Sequence, residues 1–267
     1  MVGIVNVTPD SFSDGGIRLD PETAVADALG MVADGADILD IGGESTRPGA
    51  PEVSASDEWA RIEPVIKALA REAGVPLSVD TTKAFVAERA LDAGAAIVND
   101  VSALAWDPAL AGVVARRQAA LILMHIRGRP ATMYEEARYD DVVAEVIAEL
   151  TRSGESAEAA GIARERIIYD PGFGFAKRAA HSLELLAGFS RLQALGRPLL
   201  AGPSRKSFLG TATGDLPPSG RVWATAAAVT ASVLAGAHLV RVHDVKPMVQ
   251  VARTADAIVA ARREGSG

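Results

Sequence analysis

Residues 76–101 read PLSVDTTKAFVAERALDAGAAIVNDV. Two short apolar runs, PLSVD (76–80) and AIVNDV (96–101), flank a segment with helical periodicity that ends at Gly94. Most runs of this kind in the chain carry consecutive apolar residues rather than a strict alternation, which is typical of strands covered on both faces in a parallel sheet. The stretch therefore predicts a strand, a helix and a second, parallel strand.

The same unit recurs along the chain. The apolar runs lie at residues 3–7, 37–43, 76–80, 96–101, 120–125, 167–172, 198–204 and 238–244. The helical patterns lie at residues 21–35, 56–74, 82–94, 140–160, 181–195, 220–236 and 246–262, with a weaker one over 103–118. Eight such units predict an α/β protein with a (β/α)8 TIM barrel, as a single domain over residues 1–267. A doubly wound open sheet is the competing architecture, which the lack of a GxGxxG motif after the first run disfavours.

Composition narrows the class of protein. The chain is 49% hydrophobic and 23% charged, so it can bury a sizeable core. It has no cysteine, which excludes disulfides and thiolate metal sites and fits a reducing, cytoplasmic location. We find no signal-peptide pattern, and no apolar run reaches the roughly 18 residues that a membrane span needs. The net charge of −7 disfavours nucleic acid as a partner but allows a small anion held by local cations.

Polar residues end all eight predicted strands, which is where barrels of this kind carry their chemistry. Asp80, Asn99 and Asp170 end the third, fourth and sixth strands. Carboxylate and amide groups in a pocket favour a ligand edge that is rich in N–H donors. An amino-pyrimidinone ring offers such an edge, because its guanidine-like face can pair with a carboxylate through two parallel hydrogen bonds.

Cationic residues end the last two strands. Lys206 follows the seventh strand, and Arg241 and His243 end the eighth. Barrels often bind phosphate at this position, and the planar guanidinium of arginine is well shaped to hold it. The sequence therefore predicts a pocket with a flat, donor-rich heterocycle on one side and a phosphate or pyrophosphate on the other.

The strand-end motifs resemble those of the dihydropteroate synthase family, and the resemblance covers essentially the whole chain. In chain order the motifs are NVTPDSFSDGG (6–16), DILDIGGESTRPGA (37–50), SVDTTK (78–83), AIVNDVSA (96–103), LMHIRGRPATM (123–133), DPGFGFAK (170–177), GPSRKSFLG (202–210) and RVHDV (241–245). The resemblance implies a TIM barrel of the pterin-binding type. It also implies an enzyme of folate biosynthesis, which joins 6-hydroxymethyl-7,8-dihydropterin pyrophosphate to p-aminobenzoate and forms 7,8-dihydropteroate and pyrophosphate.

The resemblance implies a role for particular residues. The expected pterin contacts are Asp80, Asn99, Met124, Asp170, Gly202 and Lys206. The expected pyrophosphate contacts are Asn6, Thr46, Arg47, Arg241 and His243, with Asn6 as the ligand of a Mg²⁺ cofactor. The expected p-aminobenzoate contacts are Phe12, Thr46, Pro48, Phe175, Lys206 and Ser207. The expected catalytic residues are Asp80, Lys206, Arg241 and His243.

The chemistry of these groups suits a dissociative reaction. A pyrophosphate leaving group needs charge neutralisation more than a strong base, and we expect Mg²⁺, Arg241 and His243 to supply it. The electron-rich dihydropterin can stabilise a cation at its methylene carbon, with Asp80 as the negative group, before the aniline nitrogen attacks. We expect the loop over residues 6–16 to close over the barrel mouth and exclude water.

Some alternatives stay open at this stage. A pterin-dependent methyltransferase would share the Asp and Asn residues but would not need SRKS and RVH, and a catalytically silent pterin-binding paralogue is a second rival. His125 either braces the pocket or takes a direct part. The resemblance implies a homodimer formed through the outer helices. Two stretches depart from the family pattern, namely Ile126 before RGRPATM and KRAAHSLELL over 177–186.

Overall fold

A computed structural model describes residues 1–8, 20–47 and 49–264, the side chains of residues 263 and 264 excepted. Its strands are β1 (Val2–Asn6), β2 (Ile38–Gly42), β3 (Leu77–Asp80), β4 (Ile97–Asp100), β5 (Ala120–Met124), β6 (Ile167–Asp170), β7 (Leu200–Ala201) and β8 (Leu239–Val242). Its α-helices are α1 (Pro21–Ala33), α2 (Ala55–Glu72), α3 (Ala84–Asp92), α4 (Leu110–Arg117), α5 (Val142–Ala159), α6 (Ala179–Ala187), α7 (Ser207–Ala212), α8 (Val222–Leu234) and α9 (Val245–Glu264). Short 3₁₀ helices cover residues 164–166, 189–195 and 218–220.

The strands form one parallel ring in the order β6-β5-β4-β3-β2-β1-β8-β7. A parallel bridge between Tyr169 and Leu199 joins the two ends of that order. Helices connect successive strands, as a parallel sheet requires. The predicted (β/α)8 barrel is thus confirmed, and the open doubly wound sheet is not the fold.

Local sequence signals explain where α1 and α2 begin and where α1 ends. Asp20 caps α1 by accepting the Glu22 amide, and Pro21 fills the first helical position. Ser54 caps α2 in the same way through the Asp57 amide. Gly35 follows α1 at a φ of +105°, a conformation that glycine adopts without strain.

Three helical predictions differ from the structure. The pattern over 103–118 yields only α4, because Ala103 and Leu104 adopt left-handed φ values of 51° and 70°. The pattern over 181–195 breaks at Gly188 into α6 and a 3₁₀ helix. The helix α7 lies in a stretch for which no helix was predicted.

The inside of the barrel begins with an apolar layer. One hydrophobic cluster is separate from the main core and draws its members from seven of the eight strands, which only the interior of the ring can bring together. We call it the lower layer; it consists of Val2, Ile38, Ile97, Ala120, Ile122, Ile168, Leu200 and Leu239. The main core lies instead between the strands and the surrounding helices.

Candidate active site

A polar layer lies directly above the lower layer, towards the carboxyl ends of the strands. Side chains two residues apart on a strand point to the same face, so each interior apolar residue is followed by another interior residue. We call this second set the upper layer; it consists of Asp40, Asp80, Asn99, Met124, Asp170, Gly202 and Arg241. The alternation of the strands therefore brings most of the predicted pterin contacts together.

Arg241 is at the centre of the upper layer. Its Nε donates to Asp40 Oδ2 at 2.6 Å, and its Nη2 donates to Asp80 Oδ2 at 2.8 Å. Asn99 Nδ2 donates to the same Asp40 oxygen at 2.9 Å. Asp40 is fully buried, and no role was predicted for it from the sequence. A charged residue in the middle of an apolar strand, in DILDIGG, was the signal that could have identified it.

The Asp80 carboxyl titrates unusually. Burial raises the pKa of Asp80 to about 7, Arg241 opposes this shift, and the neighbouring carboxylate of Asp40 adds to it. A carboxyl with that pKa exchanges its proton near neutral pH. Asp80 can therefore face a hydrogen-bond donor or a positive charge as a carboxylate at little energetic cost.

Asp170 and Lys206 also border the cavity. Asp170 Oδ1 accepts the Gly172 amide at 2.8 Å, and burial raises the pKa of Asp170. A methyl group built on Gly202 would lie 3.7 Å from Asp170 Oδ2, so Gly202 lines the wall beside this carboxylate. Lys206 Nζ lies 3.9 Å from the ring centroid of Phe175. Burial, together with the charge of Arg241, lowers the pKa of Lys206 to about 8.

His243 is held as a neutral ring. Burial and the nearby charge of Arg241 lower the pKa of His243 to about 3. Its backbone amide donates to Ser204 Oγ at 3.1 Å, and the same hydroxyl lies 3.0 Å from Nδ1. A neutral imidazole has one N–H donor and one acceptor nitrogen, so the ring can pair with this hydroxyl in either tautomer. His243 therefore offers an N–H donor beside the cations Arg241 and Lys206, and its expected part in charge neutralisation stays a prediction.

The rim of the barrel carries the remaining predicted contacts. Asn6 is exposed at the end of β1, with the same inward alternation as the layers below it. Thr46 lines a cleft beside Asp80, while Arg47 and Ser207 are exposed. Phe12 and Pro48, and most of the 6–16 loop, lie outside the described residues.

A buried ion triad braces the loop after β2. Lys83 Nζ donates to Glu44 Oε2 at 2.6 Å and to Glu58 Oε2 at 2.5 Å. Glu44 also accepts the Val53 amide at 2.7 Å, which ties the two ends of the loop together. These contacts give Glu44 a structural role in holding this loop.

His125 is buried away from the upper layer. Its Nε2 lies 2.9 Å from Glu149 Oε2, and its Nδ1 lies 2.8 Å from Lys177 Nζ. Burial and the charge of Lys177 lower the pKa of His125 to about 4. Since both ring nitrogens are engaged by protein groups, the geometry favours the bracing role over a direct one.

Comparisons with known proteins point consistently to one family. Residues 2–243 match a family model described as a pterin binding enzyme. The chain is 47% identical over 258 residues to a dihydropteroate synthase of Synechocystis, covering 97% of this chain and 89% of that protein. A Xanthomonas albilineans dihydropteroate synthase with 4-aminobenzoic acid superposes with a TM-score of 0.91 at 47% identity, covering 97% of this chain and 92% of that one. A complex of the Xanthomonas enzyme with 7,8-dihydropteroate gives a TM-score of 0.87 at 44% identity, covering 97% and 93%.

Proposed function

The chain belongs to the dihydropteroate synthase family of pterin-binding enzymes, and we propose that its upper layer carries out that family's condensation. The substrates are 6-hydroxymethyl-7,8-dihydropterin pyrophosphate and p-aminobenzoate, and the products are 7,8-dihydropteroate and pyrophosphate. One observation carries the proposal: carboxylates and an amide from β2, β3, β4 and β6 share a cavity with the cations Arg241 and Lys206.

The acidic side of the cavity suits a pterin ring. The amide nitrogen of Asn99 is committed to Asp40, which leaves the amide oxygen to accept a ring N–H. Asp170 uses one oxygen for the Gly172 amide and presents the other beside Gly202. A carboxylate there can accept two parallel hydrogen bonds from a guanidine-like edge. Gly202 has no side chain, so it leaves space beside this carboxylate for a planar ring.

The cationic side suits the pyrophosphate. Arg241 presents a planar fork, Lys206 a point charge, and His243 a neutral N–H donor. Neutralising charge on the departing pyrophosphate favours loss of the leaving group before the amine attacks. Asp80, freed from Arg241 when an anion competes for the guanidinium, can then face the positive methylene carbon. We therefore favour the dissociative path over direct displacement.

The residues also fit the expected Mg²⁺. Magnesium usually keeps several waters and takes one or two protein oxygens together with substrate phosphates. The exposed amide oxygen of Asn6 at the barrel rim meets that requirement. In the described part of the chain no cluster of three His, Cys, Asp or Glu side chains could form a protein cage. When bound, the ion would add positive charge at the pyrophosphate.

The p-aminobenzoate site would lie at the mouth, next to Phe175. The Phe175 ring supports Lys206 Nζ and leaves a face for an aromatic ligand. Thr46 lines the cleft beside Asp80, and Ser207 is the first residue of α7; we expect both to border the p-aminobenzoate site. Phe12 and Pro48 stay predictions.

We also infer that the chain forms a homodimer through α8. That helix, VWATAAAVTASVL, contains no charged residue, and its Trp223 is 79% exposed. An uncharged helix with a large exposed aromatic is typical of a protein interface. The other partners that we expect are the two small substrates. Among the described residues, no helix has the length and apolar character of a membrane span.

Pyrophosphate release tests the function. The chain is incubated with dihydropterin pyrophosphate, p-aminobenzoate and Mg²⁺, and pyrophosphate and 7,8-dihydropteroate are measured together. We expect pyrophosphate and 7,8-dihydropteroate to form in equal amounts. Without p-aminobenzoate, and under conditions where hydrolysis of dihydropterin pyrophosphate is slow, we expect neither product. Binding of pterin without either product would instead support the silent paralogue. Methyl transfer from methyltetrahydrofolate would support the methyltransferase.

A further inference from the structure

A buried lysine holds the loop after β6 from the inside. Lys177 Nζ lies 3.1 Å from Gly172 O, 3.0 Å from Phe175 O and 2.8 Å from His125 Nδ1. The side chain is 2% exposed. An ammonium group has three hydrogens, and these three close acceptors match them. The loop backbone is therefore wrapped around the end of this side chain.

The hydrogen bonds continue behind the lysine. His125 accepts at Nδ1 from the ammonium, so Nε2 carries the ring hydrogen and donates to Glu149. Glu149 also accepts from Arg127 Nε at 3.1 Å. The Arg127 guanidinium lies 4.1 Å from the ring centroid of Tyr139, whose hydroxyl donates to Ala176 O at 3.0 Å. One connected network therefore fixes three carbonyl groups of the same loop.

The loop needs such restraint because of its backbone. Gly172, Gly174 and Ala176 adopt left-handed φ values of 68°, 78° and 49°. A non-glycine residue in this region is disfavoured by its Cβ, and such conformations persist only where the surroundings fix them. With this backbone, the carbonyls of Gly172 and Phe175 both face the ammonium group.

The restrained loop presents two groups of the proposed site. The Gly172 amide donates to Asp170 Oδ1 at 2.8 Å and so orients that carboxylate. The Phe175 ring lies under Lys206 Nζ at 3.9 Å. The loop therefore connects the pterin side of the cavity to its p-aminobenzoate side.

We propose that Lys177 is a positioning residue for both substrates. With His125 and Glu149 behind it, the lysine shapes residues 172–176 so that Asp170 meets the pterin and Phe175 meets p-aminobenzoate. The proposal rests on the proposed function for the identity of the two ligands. Lys177 itself is too deeply buried to touch either of them.

The test replaces Lys177 by methionine, which keeps most of the length of the unbranched side chain but removes the donors. We expect the KM for p-aminobenzoate to rise about tenfold or more, because Phe175 loses its fixed position. We expect the dissociation constant of 6-hydroxymethylpterin, measured by calorimetry without turnover, to rise about tenfold as well. Both estimates correspond to the loss of one or two hydrogen bonds that orient each group.

A double-mutant cycle separates positioning from general damage. In a Phe175→Ala background, Lys177→Met should add little to the KM for p-aminobenzoate, since the group it positions is gone. The same double variant should still lose pterin affinity, which reports on Asp170. Leu69→Ala, a change in the part of α2 that packs into the main core, serves as a control that lowers stability and should leave both constants unchanged.

A milder variant covers the case in which Lys177→Met does not fold. His125→Phe keeps a ring in place but removes one of the three acceptors. We expect shifts in the same direction of about threefold, because only one of the lysine's hydrogen bonds is removed. Unchanged constants in both variants would overturn the proposal, as would equal effects of Lys177→Met with and without Phe175. If the wild-type chain releases no pyrophosphate, the proposed function fails. The dissociation constant of 6-hydroxymethylpterin, measured by calorimetry, still tests the role of Lys177 in that case.

Discussion

Most strands of the barrel contribute to both layers in its interior, yet the two layers differ in their chemistry. The lower layer contains aliphatic side chains, and the upper layer contains three carboxylates, an amide and a guanidinium together with Met124 and Gly202. Ile97 precedes Asn99, Ile168 precedes Asp170 and Leu239 precedes Arg241 in this way. On these strands, therefore, two positions along the chain separate a residue that stabilises the barrel from a residue that is available for chemistry.

The difference is also electrostatic. Asp40, Asp80 and Asp170 share the upper layer and its border with two cations, Arg241 and Lys206. Burial of these charges raises the pKa of Asp80 and Asp170 and lowers that of Lys206. Such a layer stabilises the fold less than apolar side chains of the same volume would. Its composition is therefore better explained by a bound ligand than by folding.

The largest expected effect comes from the upper layer. Asp170→Asn keeps an oxygen for the Gly172 amide but removes the negative charge that would face the pterin edge. We expect kcat/KM for dihydropterin pyrophosphate to fall about 10³-fold, or about 4 kcal/mol of transition-state stabilisation. The free energy of unfolding should stay the same or rise, because a buried carboxylate is lost. A kcat/KM within threefold of wild type would remove Asp170 from the site.

The matching change in the lower layer should affect stability instead. Ile122, 1% exposed, lies two residues before Met124 on β5. Ile122→Ala should lower the free energy of unfolding in urea by about 3 kcal/mol, through lost burial and the cavity left behind. Both KM values should stay within about twofold of wild type, since that layer touches no ligand. A large rise in KM with little loss of stability would show that the layers are not separate.

The third prediction concerns the pH profile of kcat/KM. Asp80, with a pKa of about 7, should be needed as the carboxylate, so the profile should rise as pH increases through that value. Lys206, with a pKa of about 8, should be needed as the ammonium, so the profile should fall about tenfold per pH unit above it. Lys206→Arg should move the falling limb to higher pH. If the limb stays in place, it belongs to another group, for which Lys177, with a pKa of about 7, is the first candidate.

The smallest expected effect concerns loop strain. Ala176→Gly should raise the free energy of unfolding by about 0.5 kcal/mol, because relief of the left-handed φ slightly outweighs the greater freedom of the unfolded chain. Gln118, at a φ of 52° after α4, offers a matched position far from the site. Gln118→Gly should give a similar gain. A loss of stability at both positions would show that the φ values carry no strain.

Much of the fold could be predicted from the sequence, because each buried barrel strand is recognisable as a short apolar run. All eight strands were located, and the helices with strong caps, such as α1 and α2, were placed within a few residues. Boundaries set by backbone conformation were missed, as at Ala103 and Leu104 before α4. Those two residues have no composition signal for a left-handed turn.

The site was less predictable where it depends on tertiary contacts. The polar ends of the strands pointed to Asp80, Asn99, Asp170, Lys206 and Arg241. Asp40 was overlooked because its partner, Arg241, is 201 positions away in the chain. Without that partner in view, a single aspartate inside an apolar run only weakens the prediction of a strand. Lys177 was overlooked because its acceptors are mostly backbone carbonyls, and every residue has one, whatever its type.

A crystal structure of the chain with a dihydropterin substrate analogue, pyrophosphate and Mg²⁺ tests the central claim most directly. We predict that the guanidine-like edge of the pterin lies within hydrogen-bond distance of Asp170 and Asn99, with the pyrophosphate against Arg241 and Lys206. A pterin bound outside the upper layer, or a pyrophosphate that contacts neither cation, would contradict it.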